Sequence, residues 1–237
     1  MKLLVSVVDE GEAHTAAAAG ADIVDVKNPA EGSLGAPSPA VIASVRAAVP
    51  AELPVSAAIG DMPNLPGTAA LAALGAARTG ATFVKLGLWG VSTEDDAVGL
   101  LRAVRDAVPD AVVVAAAYAD AARVAHAPLA PELLPRVARA AGVGACLVDT
   151  AVKDGRGLLQ WLSPDTLASL VADAHAAGLE VALAGALSAE DLPVVLDTGA
   201  DIAGVRSAAC GDGRRSAPLE AARVRALVAV TRSRVSS

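Results

Sequence analysis

The amino-acid sequence predicts an α/β protein, a single-domain (β/α)8 or TIM barrel, from three observations: its length, eight alternations of strand and helix pattern, and a fourfold internal repeat. The chain has 237 residues, close to the roughly 250 typical of such barrels, and 1–237 reads as one domain without a linker or low-complexity segment. Short apolar, β-branched runs alternate with alanine-rich stretches, the pattern of βα units around a parallel sheet. The repeat comprises AGADIVDVK (19–27), TGATFVKLG (79–87), AGVGACLVD (141–149) and TGADIAGVR (198–206). Each copy sets a helix-ending glycine before an even-numbered strand, so one repeat spans two βα units and four repeats close eight strands. An open doubly wound sheet requires no such pattern. No G-x-G-x-x-G follows the first strand, which argues against dinucleotide binding.

The elements follow in order. KLLVSV (2–7) is the first apolar, β-branched run, and the alanine-rich 11–19 its helix. DIVDV (22–26) is followed by a helix over 39–48, and PVSAA (54–58) by one over 67–78. TFVKL (82–86) precedes a helix over 93–107, and AVVVAAA (111–117) one over 131–141. ACLVD (145–149) leads to 164–177, EVALA (180–184) to 189–196, and DIAGV (201–205) to 218–233.

Hydrophobic residues make up 54% of the chain and aromatics only 2%, so the core must be built from Ala, Val, Leu and Ile, which suit close packing of helix on sheet. No apolar run reaches the roughly 18 uncharged residues needed to span a bilayer, and MKLLVSVVDEGEA turns acidic too early for a signal peptide; a cytoplasmic protein is expected. Cys146 and Cys210 lie in separate segments without C-x-x-C spacing, as core or loop thiols. A formal net charge of -7 leaves no basic stripe for nucleic acid and no cationic helix for a membrane surface, so an anionic ligand must be bound locally. Fifteen of the nineteen basic residues are Arg and only four are Lys. Where arginine serves so widely, the positions of the lysines are informative.

Active sites of such barrels lie at the carboxyl ends of the strands. Lys27 ends the second strand, Lys85 ends the fourth, and Lys153 lies four residues beyond Asp149 at the end of the sixth; Lys2 opens the chain as a solvated residue. Even-numbered strands share layers of the barrel interior, so Lys27, Lys85 and the Asp149/Lys153 pair are expected to converge. The competing reading is that each lysine only snorkels at a strand end. Clustered ammonium groups repel, and burial disfavours charge, so at least one pKa should fall below about 10.4 and leave an amine able to attack a carbonyl. Asp25 shares a strand face with Lys27, to orient it, shuttle protons, or form a structural ion pair with one of the lysines. Asp149 offers the same choices.

Tyr118 and Asp120, at the end of the fifth strand, are second-tier substrate contacts or packing residues, as is Asp61 after the third. Phosphate in these barrels commonly binds the loops after the seventh and eighth strands, here AGALS (184–188) and GVRSAACGDGRR (204–215). The candidates are Gly185, Ala186, Gly204, Arg206 and Ser207, with the arginine adding a charge-assisted contact. No metal site is expected, because His14, His126 and His175 lack ligand spacing, and no G-x-S-x-G elbow occurs. The expected chemistry is lysine attack on a small phosphorylated carbonyl compound without a cofactor. Homo-oligomerisation through the outer helices is compatible with the sequence.

The stretches DVKNPAEGSLGA (25–36), VSAAIGD (55–61), TFVKLGL (82–88), VVAAAYADA (113–121), VDTAVKDG (148–155), ALAGAL (182–187) and GVRSAAC (204–210) resemble the (5-formylfuran-3-yl)methyl phosphate synthase family, from the first strand to about Cys210. That resemblance implies a lyase that condenses two molecules of glyceraldehyde 3-phosphate into 4-(hydroxymethyl)-2-furancarboxaldehyde phosphate, the furan precursor of methanofuran. One phosphate and two waters are lost, with no net oxidation or reduction. It implies Lys27 as the Schiff-base lysine and Lys85 as general acid/base, with Asp25, Asp149 and Lys153 assisting proton transfers or holding intermediates. The chain departs from the family pattern at GDGRRSAP (211–218), which replaces a more polar loop. Two further readings are another Schiff-base aldolase or phosphosugar lyase, and a non-catalytic barrel that binds a phosphorylated metabolite.

Overall fold

The computed structural model describes residues 1–126 and 128–233; the remainder of the expected 1–237 domain lies outside the described residues. Eight parallel strands close in sequence order into a barrel, each followed by a helix. The elements are β1 Lys2–Val7, α1 Glu10–Ala18, β2 Ile23–Val26, α2 Pro39–Ala48, β3 Val55–Pro63, α3 Pro66–Arg78, β4 Phe83–Gly90 and α4 Glu94–Ala107. They continue as β5 Val112–Tyr118, α5 Leu134–Ala141, β6 Ala145–Asp149, α6 Pro164–Ala176, β7 Glu180–Leu183, α7 Leu192–Asp197, β8 Ile202–Val205 and α8 Ala221–Arg232. The repeat glycines Gly20, Gly80, Gly142 and Gly199 all take positive φ at helix ends, as the fourfold pattern requires.

Five elements differ clearly from the sequence pattern. β3 and β4 run past 58 and 86 because they continue beside each other, with Asp61 opposite Gly87 and Pro63 opposite Gly90 across two register shifts. α5 begins at Leu134, after a 3-10 turn over Pro131–Leu133. α7 starts at Leu192 because the Asp191 carboxylate accepts the Ser188 N–H at 2.8 Å, holding the preceding residues in a turn. α8 starts at Ala221 because Leu219 pairs with Cys210 in an antiparallel bridge.

The strands are buried on both faces, as parallel sheets require. Outward residues such as Leu3, Val5 and Val84 pack with Ala69, Ala73, Leu100 and Leu101 of the helices in the larger core. Inward residues Leu4, Ile23, Ala58, Val114, Leu147, Ala182 and Ile202 fill the barrel. One pleat further toward the carboxyl ends the inward side chains turn polar: Ser6 follows Leu4, Asp25 follows Ile23, Lys85 follows Phe83, and Asp149 follows Leu147. The period of two thus stacks a polar layer on an apolar plug. Among the described residues no helix is long and apolar enough to cross a membrane.

Candidate active site

The polar layer opens into a cavity of about 430 Å³ lined by Asp25, Lys27, Lys85, Asp149 and Lys153, with Gly185, Ala186, Gly204, Arg206 and Ser207 on its β7–β8 side. Lys27 lies just past β2 and is only 8% exposed. Burial is the largest influence on its amine and lowers its pKa to about 8; the carboxylates of Asp149 and Asp25 oppose this, while the charges of Lys153 and Lys85 add to it. Roughly a tenth of such an amine is neutral at pH 7.

The neighbouring charges are paired. Lys85 Nζ lies 2.6 Å from Asp25 Oδ1, and Ser6 Oγ donates to Asp25 Oδ2 at 2.9 Å. The lysine contact is close but poorly aligned as a hydrogen bond, so Oδ1 has no well-directed donor. Lys153 Nζ donates to Asp149 Oδ1 at 2.7 Å and to Thr150 Oγ1 at 3.1 Å. Burial pushes the Asp149 carboxyl up, but the charges of Lys153 and Lys27, the lysine hydrogen bond and the Thr150 N–H outweigh it and hold the pKa at about 2. Of the roles open to Asp25, the ion pair is made with Lys85. One position corrects the sequence reading: Lys85 sits third in β4 rather than at its end, because β4 runs on to Gly90.

The residues at the end of β5 also have other work. The Tyr118 hydroxyl, fully buried, donates to Asp61; burial and the Asp61 charge raise its pKa well above the usual tyrosine value. Asp61 also accepts the backbone N–H of Ser33 at 2.8 Å and of Leu34 at 3.3 Å, anchoring the loop after β2. Asp120 accepts from the N–H groups of Ala151 and Val152 at 2.6 and 2.9 Å, fixing the loop that carries Lys153. Ser33 Oγ donates to the Thr150 carbonyl at 2.8 Å and ties the two loops across the barrel mouth. Tyr118, Asp120 and Asp61 therefore hold loops and do not line the cavity. This packing leaves no room beside Tyr118. A Cβ at Gly87 would lie 1.9 Å from its hydroxyl oxygen, so Gly87→Ala is expected to cost about 1–3 kcal/mol by overpacking, measurable as a lowered denaturant midpoint.

On the phosphate side, Gly185 and Ala186 take φ of 114° and 49°, the second rare for an L-residue. A Cβ at Gly185 would come within 3.0 Å of Thr150 Cγ2, so the turn after β7 packs tightly there with bare backbone at the cavity wall. Arg206, expected as a phosphate contact, is instead buried and forks onto the Glu12 carboxylate. It also donates to the Ser6 and Arg215 carbonyls, each at 3.0 Å. It clasps β1, α1 and β8 together. The arginines that line the cavity beside it are Arg156, Arg214 and Arg215. The last two lie in the GDGRR stretch, the available sequence signal for them. Among the described residues, no group of three or more His, Cys, Asp or Glu is arranged to hold a metal ion.

A sequence profile of the 4-HFC-P synthase family matches residues 3–228. The chain belongs to this family. It is 49% identical to the (5-formylfuran-3-yl)methyl phosphate synthase of Methanocaldococcus jannaschii, over 91% of this chain and 93% of that protein. It is 49% identical to the synthase of the same name from Methanosarcina mazei, over 97% and 98%. Among solved structures, 3-hexulose-6-phosphate synthase from Salmonella typhimurium superposes with a TM-score of 0.67 at 18% identity, covering 98% of this chain and 99% of that one. That likeness carries the barrel fold alone. Within this chain the stretches EGSLGA and DTAVKDG carry structural ties as well as a lysine: Ser33 and Leu34 sit on Asp61, and the Thr150 carbonyl accepts Ser33.

Proposed function

We propose that this protein is a cytoplasmic lyase that condenses two molecules of glyceraldehyde 3-phosphate into 4-(hydroxymethyl)-2-furancarboxaldehyde phosphate, releasing one inorganic phosphate and two waters, through a Schiff base on Lys27. The observation that carries this reading is the state of Lys27: buried among paired charges, with no carboxylate of its own among the described residues and its pKa lowered to about 8. Its neutral amine attacks the aldehyde carbon of one triose and expels water as the iminium forms. The iminium draws electrons from the adjacent C–H, so a base removes that proton and the C3–O bond breaks with its electron pair leaving on phosphate. In this reading Lys85, held by Asp25, exchanges these protons. Lys153, held by Asp149, faces the same space. The three-carbon unit left on Lys27 then joins the second triose, water hydrolyses the iminium to return the free amine of Lys27, and ring closure with dehydration gives the aromatic furan. The condensation involves no net oxidation or reduction.

The test is incubation of the purified, metal-stripped protein with glyceraldehyde 3-phosphate alone. Furan absorbance and free phosphate should rise one to one, with the product mass confirming the furan phosphate. No turnover would overturn the synthase reading and redirect it to another carbonyl phosphate or to a binding barrel.

A further inference from the structure

We propose that Arg215 is a specificity-determining residue that holds the phosphate of the second triose, the one that keeps its ester. This rests on the condensation proposed above. In that reaction the triose bound to Lys27 loses its phosphate by elimination, while its partner carries a phosphate into the product. Two phosphates therefore enter one cavity and must be held in different places, one to leave and one to stay. The backbone of Gly185, Ala186 and Ser207 offers a place for the first.

The charges around the cavity single out the second. Of its seven cationic side chains, five are committed to carboxylates: Lys85 to Asp25, Lys153 to Asp149, Arg156 to Asp154, Arg206 to Glu12 and Arg214 to Asp212. Among the described residues the two that remain are Lys27, which reacts, and Arg215. The guanidinium of Arg215 reaches across the mouth to the loop that directly follows Lys27, where Nη2 meets the carbonyls of Pro29 and Gly32 at 3.4 and 3.3 Å. Both contacts are long for hydrogen bonds. Among the described residues Nε and Nη1 make none, so the fork retains donors for an anion. Its backbone is nonetheless fixed, since the Arg215 carbonyl accepts from the buried Arg206 at 3.0 Å. An anchored backbone and an unspent planar fork are what bidentate recognition of a phosphate ester requires. Ser216, the next residue, lines the same wall. A triose phosphate gripped there lies between β8 and the β2 loop, beside the carbon chain on Lys27.

The experiment compares wild type, Arg215→Ala and Arg215→Lys in two assays. The first measures the phosphate burst and borohydride-trapped adduct formed from one triose per site. The second offers glyceraldehyde 3-phosphate with a large excess of unphosphorylated glyceraldehyde and reads the ratio of phosphorylated to unphosphorylated furan product. Arg215→Ala should keep the burst and the adduct. It should also lower furan phosphate formation roughly tenfold to a hundredfold, the range for losing a charged hydrogen-bond set, and shift the product ratio toward the unphosphorylated furan by a similar factor. Arg215→Lys should recover part of the ratio. An unchanged ratio in Arg215→Ala, or loss of the burst together with turnover, overturns the subsite. Absence of burst and adduct in wild type is a different result: it removes the condensation reading itself.

Discussion

Lys27→Arg is expected to abolish borohydride-trapped adduct formation and to lower turnover by ~10⁴-fold or more, the scale of losing a covalent nucleophile. Arginine keeps the positive charge among Asp149, Lys153, Asp25 and Lys85, but a guanidinium stays protonated and forms no imine under these conditions. A variant that turns over normally would sink the Schiff-base role. The pH dependence has a worked sign. With the amine at about 8 in the folded protein and 10.5 as its ordinary value, imine formation should rise with pH through 8 and level off above it. The same displacement acts on stability. Below 8 the lysine is protonated in both states, and burial of the charge costs the fold about 3 kcal/mol. Between about 8 and 10.5 the unfolded chain binds the extra proton, so this cost is relieved as pH rises. Lys27→Met should therefore raise Tm by several degrees at pH 7 while removing activity, the exchange of stability for function that a strained site implies. A lower Tm in Lys27→Met would mean that the ammonium stabilises its neighbours instead.

How much of this was legible in the sequence depends on how local each signal is. Strands and helices follow from periods of two and of about 3.6, and the repeat glycines mark helix ends, so the barrel could be read from the chain. The extension of β3 could not, because GDMP carries a glycine and a proline that a strand pattern rejects; only the neighbouring β4 makes it a strand. The lysines stood out because lysine is rare here, and the structure brings them to one cavity. Arg206 was misleading because its partner, Glu12, lies 194 residues away, and nothing beside an arginine in sequence announces a buried carboxylate. Tyr118 and Asp120 stayed open between substrate contact and packing for a related reason. A polar side chain at a strand end looks the same whether it faces a substrate or the backbone of the next loop, and Asp120 faces Ala151 and Val152.

The Lys85–Asp25 pair carries the second large effect, and its two roles separate experimentally. Lys85→Ala is expected to block furan formation, by 10²–10⁴-fold on the scale of a lost general acid/base, while Lys27 still forms a trappable adduct. The variant will also be less stable. Asp25 is fully buried, and removing its ammonium partner leaves a charge compensated mainly by the Ser6 hydroxyl, at a cost of about 3–5 kcal/mol. Low activity in the single variant could then reflect a loosened barrel. The double variant Lys85→Met/Asp25→Asn resolves this, because replacing both partners of a buried pair by neutral groups of similar size removes the uncompensated charge. Its denaturant midpoint should return most of the way to wild type, and the adduct at Lys27 should form, yet turnover should stay as low as in Lys85→Ala. Recovery of turnover along with stability would make the pair a structural tie beneath Lys27. Loss of the adduct in a stable double variant would place Lys85 in imine formation rather than in the proton transfers that follow it.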